Sequence, residues 1–328
     1  MKDEILRLLK ENTEGFISGQ EISERFGVSR TSIWKYINQL KLEGYEIESV
    51  SKRGYKLIKC PDLLTYEEIQ EELHTEFIGR KIIHLNSIDS TNSKAKDIAL
   101  ELEEDGVVII AEEQTRGKGR LGRNFISPRE KGIWMSIILK PDINPLKVSL
   151  VTQIAAAAIN KAFREMKIET FIKWPNDILL NRKKICGILT EMNAELTKVN
   201  FIVIGIGINA NLDEDDFSEE IRETATSIKI EIDKKISRKK VVGKILNNFE
   251  PLYKDFIEED NIEEAMKICR ENSILIGNEV RVIRKDESIK AHVIDINKNG
   301  ELVVEYETGQ VENLISGEIS IRGLKSYV

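Results

Sequence analysis

Apolar positions in the first sixty residues follow two periods. Ile5, Leu6, Leu8 and Leu9 recur at helical spacing, and QEISERFG follows as a second helix that stops at Gly27. Behind Ser29, a natural N-cap, Ile33, Ile37 and Leu40 then repeat at i, i+4 and i+7, which turns Arg30, Thr31, Lys35 and Asn38 outward. After Gly44 the period drops to two: YEIESVSKRGYKLI alternates around a turn of Ser51, Lys52, Arg53 and Gly54 and predicts a β-hairpin. Two helices joined by a tight GVS turn, with a hairpin behind them, make a winged helix-turn-helix. KCPDLL, residues 59–64, reads as a linker broken by Pro61. TYEEIQEEL then opens a new helix, with Thr65 as N-cap and Glu68 three residues on.

From about residue 81 strand and helix periods alternate. IIHLNSIDS leads into a helix beginning at Ser90, Thr91 and Asn92, any of which can cap it, and VVIIAEE and GIWMSIILK read as strands. KVSLVTQIAAAAINKAFREM reads as a long alanine-rich helix, and FIKW, DILL, KKICGILTEM and FIVIGIGINA as further strands. This order predicts an α+β fold whose central mixed sheet has helices on one side.

GKGRLG, residues 117–122, matches G-x-G-x-x-G letter for letter. A dinucleotide site would need a helix to open at the third glycine, whereas RNFISPREKGIWMSIILK continues as loop and strand. The stretch TRGKGRLGR instead carries Arg116, Lys118, Arg120 and Arg123 with no carboxylate between them. Glycines let backbone approach a ligand and the cations neutralise phosphate, so it reads as an anion-binding flap. KWPND, residues 173–177, presents Asn176 and Asp177 on a rigid turn. Its functional reading is nucleotide or Mg²⁺ handling, with Asp177 as a metal-associated carboxylate, and its plain reading is an Asx turn. NRKKICGIL turns a hairpin into a strand carrying Lys184, and GIGIN ends an apolar strand with Asn209.

Composition narrows the function classes. The chain has 328 residues, 41% apolar and 32% charged, which suits a soluble protein of two or three domains. Its apolar runs fall far short of the roughly 20 residues that span a bilayer, and its N-terminus is charged, so a cytoplasmic protein with no membrane partner is expected. Cys60, Cys186 and Cys269, and His74, His84 and His292, are too scattered for a disulfide framework or a zinc site. The net charge of −7 argues against a general nucleic-acid binder, yet residues 25–59 hold eight Lys or Arg against three Glu. The helix-turn-helix therefore reads as DNA-binding: Ser29, Arg30, Thr31, Ser32 and Lys35 toward the major groove, Lys52 and Arg53 toward phosphates. A single domain of this size buries little DNA surface, so a dimer on a two-fold operator is implied.

Taken together, the basic glycine loop, KWPND, KxxGIL and GIGIN in this order resemble the biotin-protein ligases. With the winged helix in front, the resemblance is to the bifunctional biotin ligases that also repress the biotin operon. It covers essentially the whole chain: winged helix over residues 1–62, catalytic domain over 63–273 and, over 274–328, a β-rich segment similar to that family's SH3-like barrel. The family joins the biotin carboxylate to the α-phosphate of ATP and then passes biotin from biotinyl-AMP to a lysine of a carboxylase's biotin carboxyl carrier protein. The resemblance implies Ser90, Thr91, Asn92, Gln114, Lys118, Gly119, Arg120 and Lys184 around biotin, and Arg123, Asn176, Asn209 and Arg322 around the nucleotide. Arg120, Lys184 and Asp177 would be catalytic, with Mg²⁺ arriving with ATP, and biotinyl-AMP would double as corepressor of a ligand-promoted homodimer. Two positions depart from the common pattern: Phe125 stands where some relatives have tryptophan, and Lys118 where arginine is common. Two alternatives are a lipoate-type ligase, disfavoured by the winged helix and by KWPND followed by GIGIN, and a non-catalytic biotin-sensing repressor.

Overall fold

The computed structural model describes residues 1–12, 14–284, 287–316 and 319–323, and the chain divides into two compact units, Met1–Leu63 and the remainder from Leu64. In the first, α1 (Lys2–Glu11), α2 (Gly19–Phe26) and α3 (Arg30–Leu42) precede the hairpin β1 (Glu46–Val50) and β2 (Gly54–Lys59). Gly27 closes α2 in the left-handed conformation, and the Ser29 hydroxyl caps α3 by accepting from Ser32 N at 3.2 Å. Ile5, Leu9, Ile22, Ile33 and Leu40 form a sealed core of their own. Gly54 is obligatory in the hairpin. Its φ is +109°, and a Cβ there would lie 1.9 Å from the Ile17 carbonyl oxygen, because Ile17 and Tyr55 exchange backbone hydrogen bonds of 2.9 Å.

The second unit opens with α4 (Tyr66–Ile69), a single turn continued by a 3-10 turn, Gln70–Glu72, rather than the longer helix expected. The Thr65 side chain makes no capping bond, and Glu68 is buried and paired with Lys239 at 2.9 Å. Next come β3 (Ile82–Leu85), α5 (Thr91–Glu101), β4 (Val107–Ala111), β5 (Ile133–Leu139), α6 (Val148–Glu165), β6 (Phe171–Lys173), β7 (Asp177–Leu180), β8 (Lys183–Ala194) and β9 (Val199–Ile208). The short helices α7 (Glu219–Arg222) and α8 (Ile228–Ile232) lead to α9 (Arg238–Glu259) and α10 (Glu263–Glu271). The seven strands order as β3-β4-β5-β9-β8-β7-β6, with β3 and β4 parallel and the other pairs antiparallel.

Helices lie on both faces of this sheet, not on one. Val108, Ile110, Ile137, Ile202 and Ile204 join the large core with α6, α9 and α10, whereas the intervening Val107, Ile109, Ile138, Phe201 and Val203 pack on Ala95 and Ala99 of α5. Because α5 is short, it covers only the far part of its face, and the rest of that face carries Gly187, Gly205 and Gly207. The C-terminal strands β10 (Glu279–Arg284), β11 (Glu287–Ile296), β12 (Leu302–Tyr306), β13 (Val311–Leu314) and β14 (Ile319–Gly323) form a five-stranded antiparallel sheet, the SH3-like module. The indole of Trp174 donates to the Gly300 carbonyl at 2.9 Å, a buried bond that ties this module to the turn between β6 and β7.

Candidate functional site

Register across the sheet builds the site. Trp134 of β5 pairs with Gly207, Gly207 with Gly187, and Gly187 with Asp177; in the next row Ser136 pairs with Gly205, and Gly205 with Leu189. Side chains on one face thus give way to bare backbone between Trp134 and Asp177. What fills the gap shows why glycine stands there. A Cβ on Gly205 would sit 2.2 Å from Oδ1 of Asn92, and one on Gly207 would sit 2.7 Å from the Phe125 ring. The start of α5 and the basic loop close over this window.

Two adjoining cavities result, of about 450 Å³ and about 750 Å³. The first lies over the glycines, with Met135, Ile188 and Ile206 among its apolar walls and Ser90, Thr91, Asn92 and Gln114 as its polar end. These polar groups are pre-set by one another. Gln114 Oε1 accepts from Thr91 N and Oγ1 at 2.9 and 3.1 Å, its Nε2 donates to Ser127 Oγ at 3.0 Å, and Asn92 Nδ2 donates to Glu191 at 2.8 Å. Ser90 occupies the N-cap position of α5, makes no side-chain capping bond and lines the cavity. Such an arrangement suits a small amphipathic molecule with a compact hydrogen-bonding head.

Among its described lining residues, the second cavity has Arg120, Arg123, Lys173, Lys184 and Arg322 against the single carboxylate of Asp177. Its chemistry is that of a polyanion site. Gly119, Arg120, Phe125, Asn176 and Lys184 line both cavities and form the partition. In it, Arg120 Nη1 donates to Asn176 Oδ1 at 3.0 Å and Nη2 to the Ile319 carbonyl at 3.4 Å; Lys184 Nζ lies 2.5 Å from Asp177 Oδ1. Leu121, at φ +55°, and Gly122, at +71°, turn the chain so that Arg120 and Arg123 both reach inward. Burial holds the Lys173 ammonium down to about 7, helped by the charges of Lys184, Arg322 and Arg123 and opposed by Asp177.

The Asp177 carboxylate has one oxygen on the Lys184 ammonium. Among the described residues no group of three or more His, Cys, Asp or Glu side chains stands where it would hold a metal ion. Asn209 lies outside both cavities, buried at the end of β9, where its amide donates to the Thr226 carbonyl at 3.0 Å. Lys118 lines the first cavity and donates to Ser93 Oγ at 3.0 Å. The acidic segment after Asn209 is folded against the site's rear. Asp213 and Asp216 are held by Lys131, and Leu212 and Phe217 pack on Trp134, whose indole meets Phe125 edge-on at 5.9 Å.

In the first unit, Arg30, Thr31 and Lys35 stand exposed on α3 and Ser32 half-buried, while Ser29 spends its hydroxyl on the cap. Arg30 donates to Gln20 at 2.6 Å, and Lys52 sits at the hairpin turn at φ +66°. The Arg53 guanidinium lies over the Phe16 ring at 4.3 Å, which fixes its direction rather than leaving it loose.

Three family profiles divide the chain: HTH domain over residues 2–56, Biotin/lipoate A/B protein ligase family over 85–209, and Biotin protein ligase C terminal domain over 275–322. The bifunctional ligase/repressor BirA of Bacillus spizizenii is 38% identical over 98% of each chain. The chain belongs to the BirA family of bifunctional ligase/repressors. The Escherichia coli BirA is 29% identical over 94% of this chain and 93% of its own. The biotin protein ligase of Aquifex aeolicus, solved with biotin and ATP, superposes with a TM-score of 0.65 at 27% identity, covering 74% of this chain and all but 1% of that one.

For this BirA-family chain, sequence reasoning overlooked Lys173 and the floor glycines. Lys173 heads KWPND, yet only the amide and carboxylate at the end of that motif drew attention. Gly187 and Gly205 carry no chemistry in a sequence, and the signal that finds them is strand parity: both share the parity of Gly207 across paired strands. Glu191 and Lys96, which hold Asn92 through an ion pair of 2.7 Å, have no sequence signal at all.

Proposed function

We propose that the chain is an ATP-dependent biotin-protein ligase and a DNA-binding repressor. Biotin would occupy the cavity over the glycines with its ureido ring on Ser90, Thr91, Asn92 and Gln114. ATP would occupy the cationic cavity, with Arg123, Asn176 and Arg322 at its phosphates and nucleoside. The observation that carries this reading is the shared partition of Arg120, Asn176 and Lys184, because the reaction joins two ligands end to end at that point. A biotin carboxylate oxygen attacks the α-phosphorus, and the bond to the pyrophosphate oxygen breaks. Arg120 and Lys184 neutralise the two anions on approach, and Lys173 and Arg322 meet the charge leaving on pyrophosphate. Asp177 positions Lys184. An amine of the carrier protein's lysine then attacks the acyl carbonyl, AMP departs, and the amine's proton is lost. No enzyme nucleophile is needed.

Mg²⁺ would accompany the nucleotide on its own phosphates, and no residue role rests on it. Asn209 would act at one remove, fixing the strand end rather than touching the nucleotide. We place the domains at residues 1–62, 63–273 and 274–328, in a cytoplasmic protein. Biotinyl-AMP would serve as corepressor by favouring a homodimer that binds a two-fold operator. Arg30, Thr31, Ser32 and Lys35 would face the groove, with Ser29 at the start of the helix and Lys52 and Arg53 at phosphates.

Biotin-dependent exchange of pyrophosphate into ATP, followed by transfer to a biotin carboxyl carrier domain, tests the ligase. Exchange with lipoate in place of biotin would overturn the substrate, and no exchange with either would leave only a ligand-sensing repressor. Operator binding that is equally tight with and without biotin and ATP would remove the corepressor.

A further inference from the structure

The chain has three tryptophans, and two of them, Trp134 and Trp174, are fully buried. Trp34 is 58% exposed. It stands on the second turn of α3, about a quarter turn around the helix from the buried stripe of Ile33, Ile37 and Leu40, and in one row with Thr31 at i−3 and Asn38 at i+4. Arg30 and Lys35 flank it, Lys41 follows on the same face, and the sequence of α3 contains no acidic residue. A large indole held in water on a small, sealed domain adds nothing to the core beneath it, since Ile33, Ile37 and Leu40 already complete that core. Its surroundings choose the partner: an apolar plate ringed by cations fits a surface that is apolar at its centre and anionic at its edges. The major groove of duplex DNA has that form at an A·T pair, where the thymine C5-methyl group projects between two phosphate backbones.

The geometry points to Trp34 as a specificity-determining residue of the winged helix, reading a thymine methyl group in each half-site by apolar contact. This rests on the DNA-binding reading above and adds to it a base and a chemistry. Whatever bases they face, the charges of Arg30, Lys35 and Lys52 add salt-dependent attraction that any sequence satisfies. Trp34 supplies a contact that is neutral, indifferent to salt and lost when the methyl group is lost.

The test uses the full chain with biotin and ATP. A random-sequence duplex pool is selected with the parent protein and with Trp34→Ala, a substitution at an exposed site whose fold is checked by thermal melting. The parent is expected to enrich a half-site with a fixed A·T pair that Trp34→Ala no longer enriches. On the selected duplex, Trp34→Ala should weaken binding about 10- to 100-fold. Its dependence of log K on log salt should stay unchanged, whereas Lys35→Ala should shallow that slope by about 1. Replacing that thymine by deoxyuridine should weaken the parent and leave Trp34→Ala unaffected.

An equal effect of deoxyuridine on both proteins, or identical enriched sequences, overturns the inference while leaving DNA binding intact. If Trp34→Ala keeps the parent's base preference but loses self-association, the face is a protein contact and the inference is likewise wrong. A parent that enriches nothing removes the DNA-binding reading itself.

Discussion

Lys173 is expected to make nucleotide binding a proton-uptake reaction. Lys173 is 4% exposed and burial brings its pKa from 10.5 down to about 7, so charging it in the ligand-free protein costs about 5 kcal/mol more than charging a lysine in water. Above about pH 8 the amine is therefore largely neutral when the site is empty. An anion beside it favours the charged form and raises the pKa again. The sign follows: where the pH lies above the empty-site value and below the occupied one, each ligand bound takes up as much as one proton. Affinity then falls as pH rises, by at most about tenfold per pH unit. Between pH 8 and 9.5 the ligand's own phosphates are already ionised, so the slope belongs to the protein. Isothermal titration of α,β-methylene ATP with biotin present, repeated in two buffers of different ionisation enthalpy, reads the proton count directly. Lys173→Met should bind more weakly and take up no proton across this range. A parent that takes up none, or a Met variant that takes up as many, would refute the assignment of that charge to Lys173.

Three further outcomes are expected. Arg120→Gly removes one of the two cations of the partition together with its bonds to Asn176 and the Ile319 carbonyl, and should speed release of biotinyl-AMP about 10- to 100-fold. Labelling of a bystander protein would register it, and an unchanged release rate would contradict the role given to Arg120. Gly205→Ala places a methyl group 2.2 Å from Asn92 Oδ1, so Asn92 must leave its bonds to Leu189 and Glu191. The KM for biotin in pyrophosphate exchange should rise about tenfold or more while the melting curve keeps its cooperativity. Trp174→Phe leaves the buried Gly300 carbonyl without its donor, a loss of about 1 to 3 kcal/mol, which should lower the Tm by about 3 to 8 °C.

What the sequence made legible depended on how local its cause was. Ser29 and Gly27 announce the ends of helices because capping acts over three residues, and the β1–β2 hairpin is legible because alternation brackets a Lys-Arg-Gly turn. GKGRLG could be stripped of its dinucleotide reading from the residues that follow it. The placement of helices was not legible. VVIIA is apolar throughout, so its alternation between α5 on one face and α6 on the other leaves no trace in its composition. No element is predicted from the sequence over α9 and α10; Pro251 lies inside α9, where Leu252, Tyr253 and Phe256 continue the buried stripe beyond it. The site residues implied by the family resemblance line the two cavities, with Asn209 the exception, and Arg116 of the basic loop lines neither. Side chains that act through a second one, such as Glu191 upon Asn92, depend on pairings about a hundred residues apart.

The glycine window has a consequence for how this pocket can change. Its floor is main chain, and main chain does not vary: a substitution at Gly187, Gly205 or Gly207 can only add atoms. Mutation at the floor is therefore a ratchet that shrinks the range of accepted acids and never extends it. Any drift toward a bulkier substrate has to enter by the roof, where trimming Phe125 is the move that creates room.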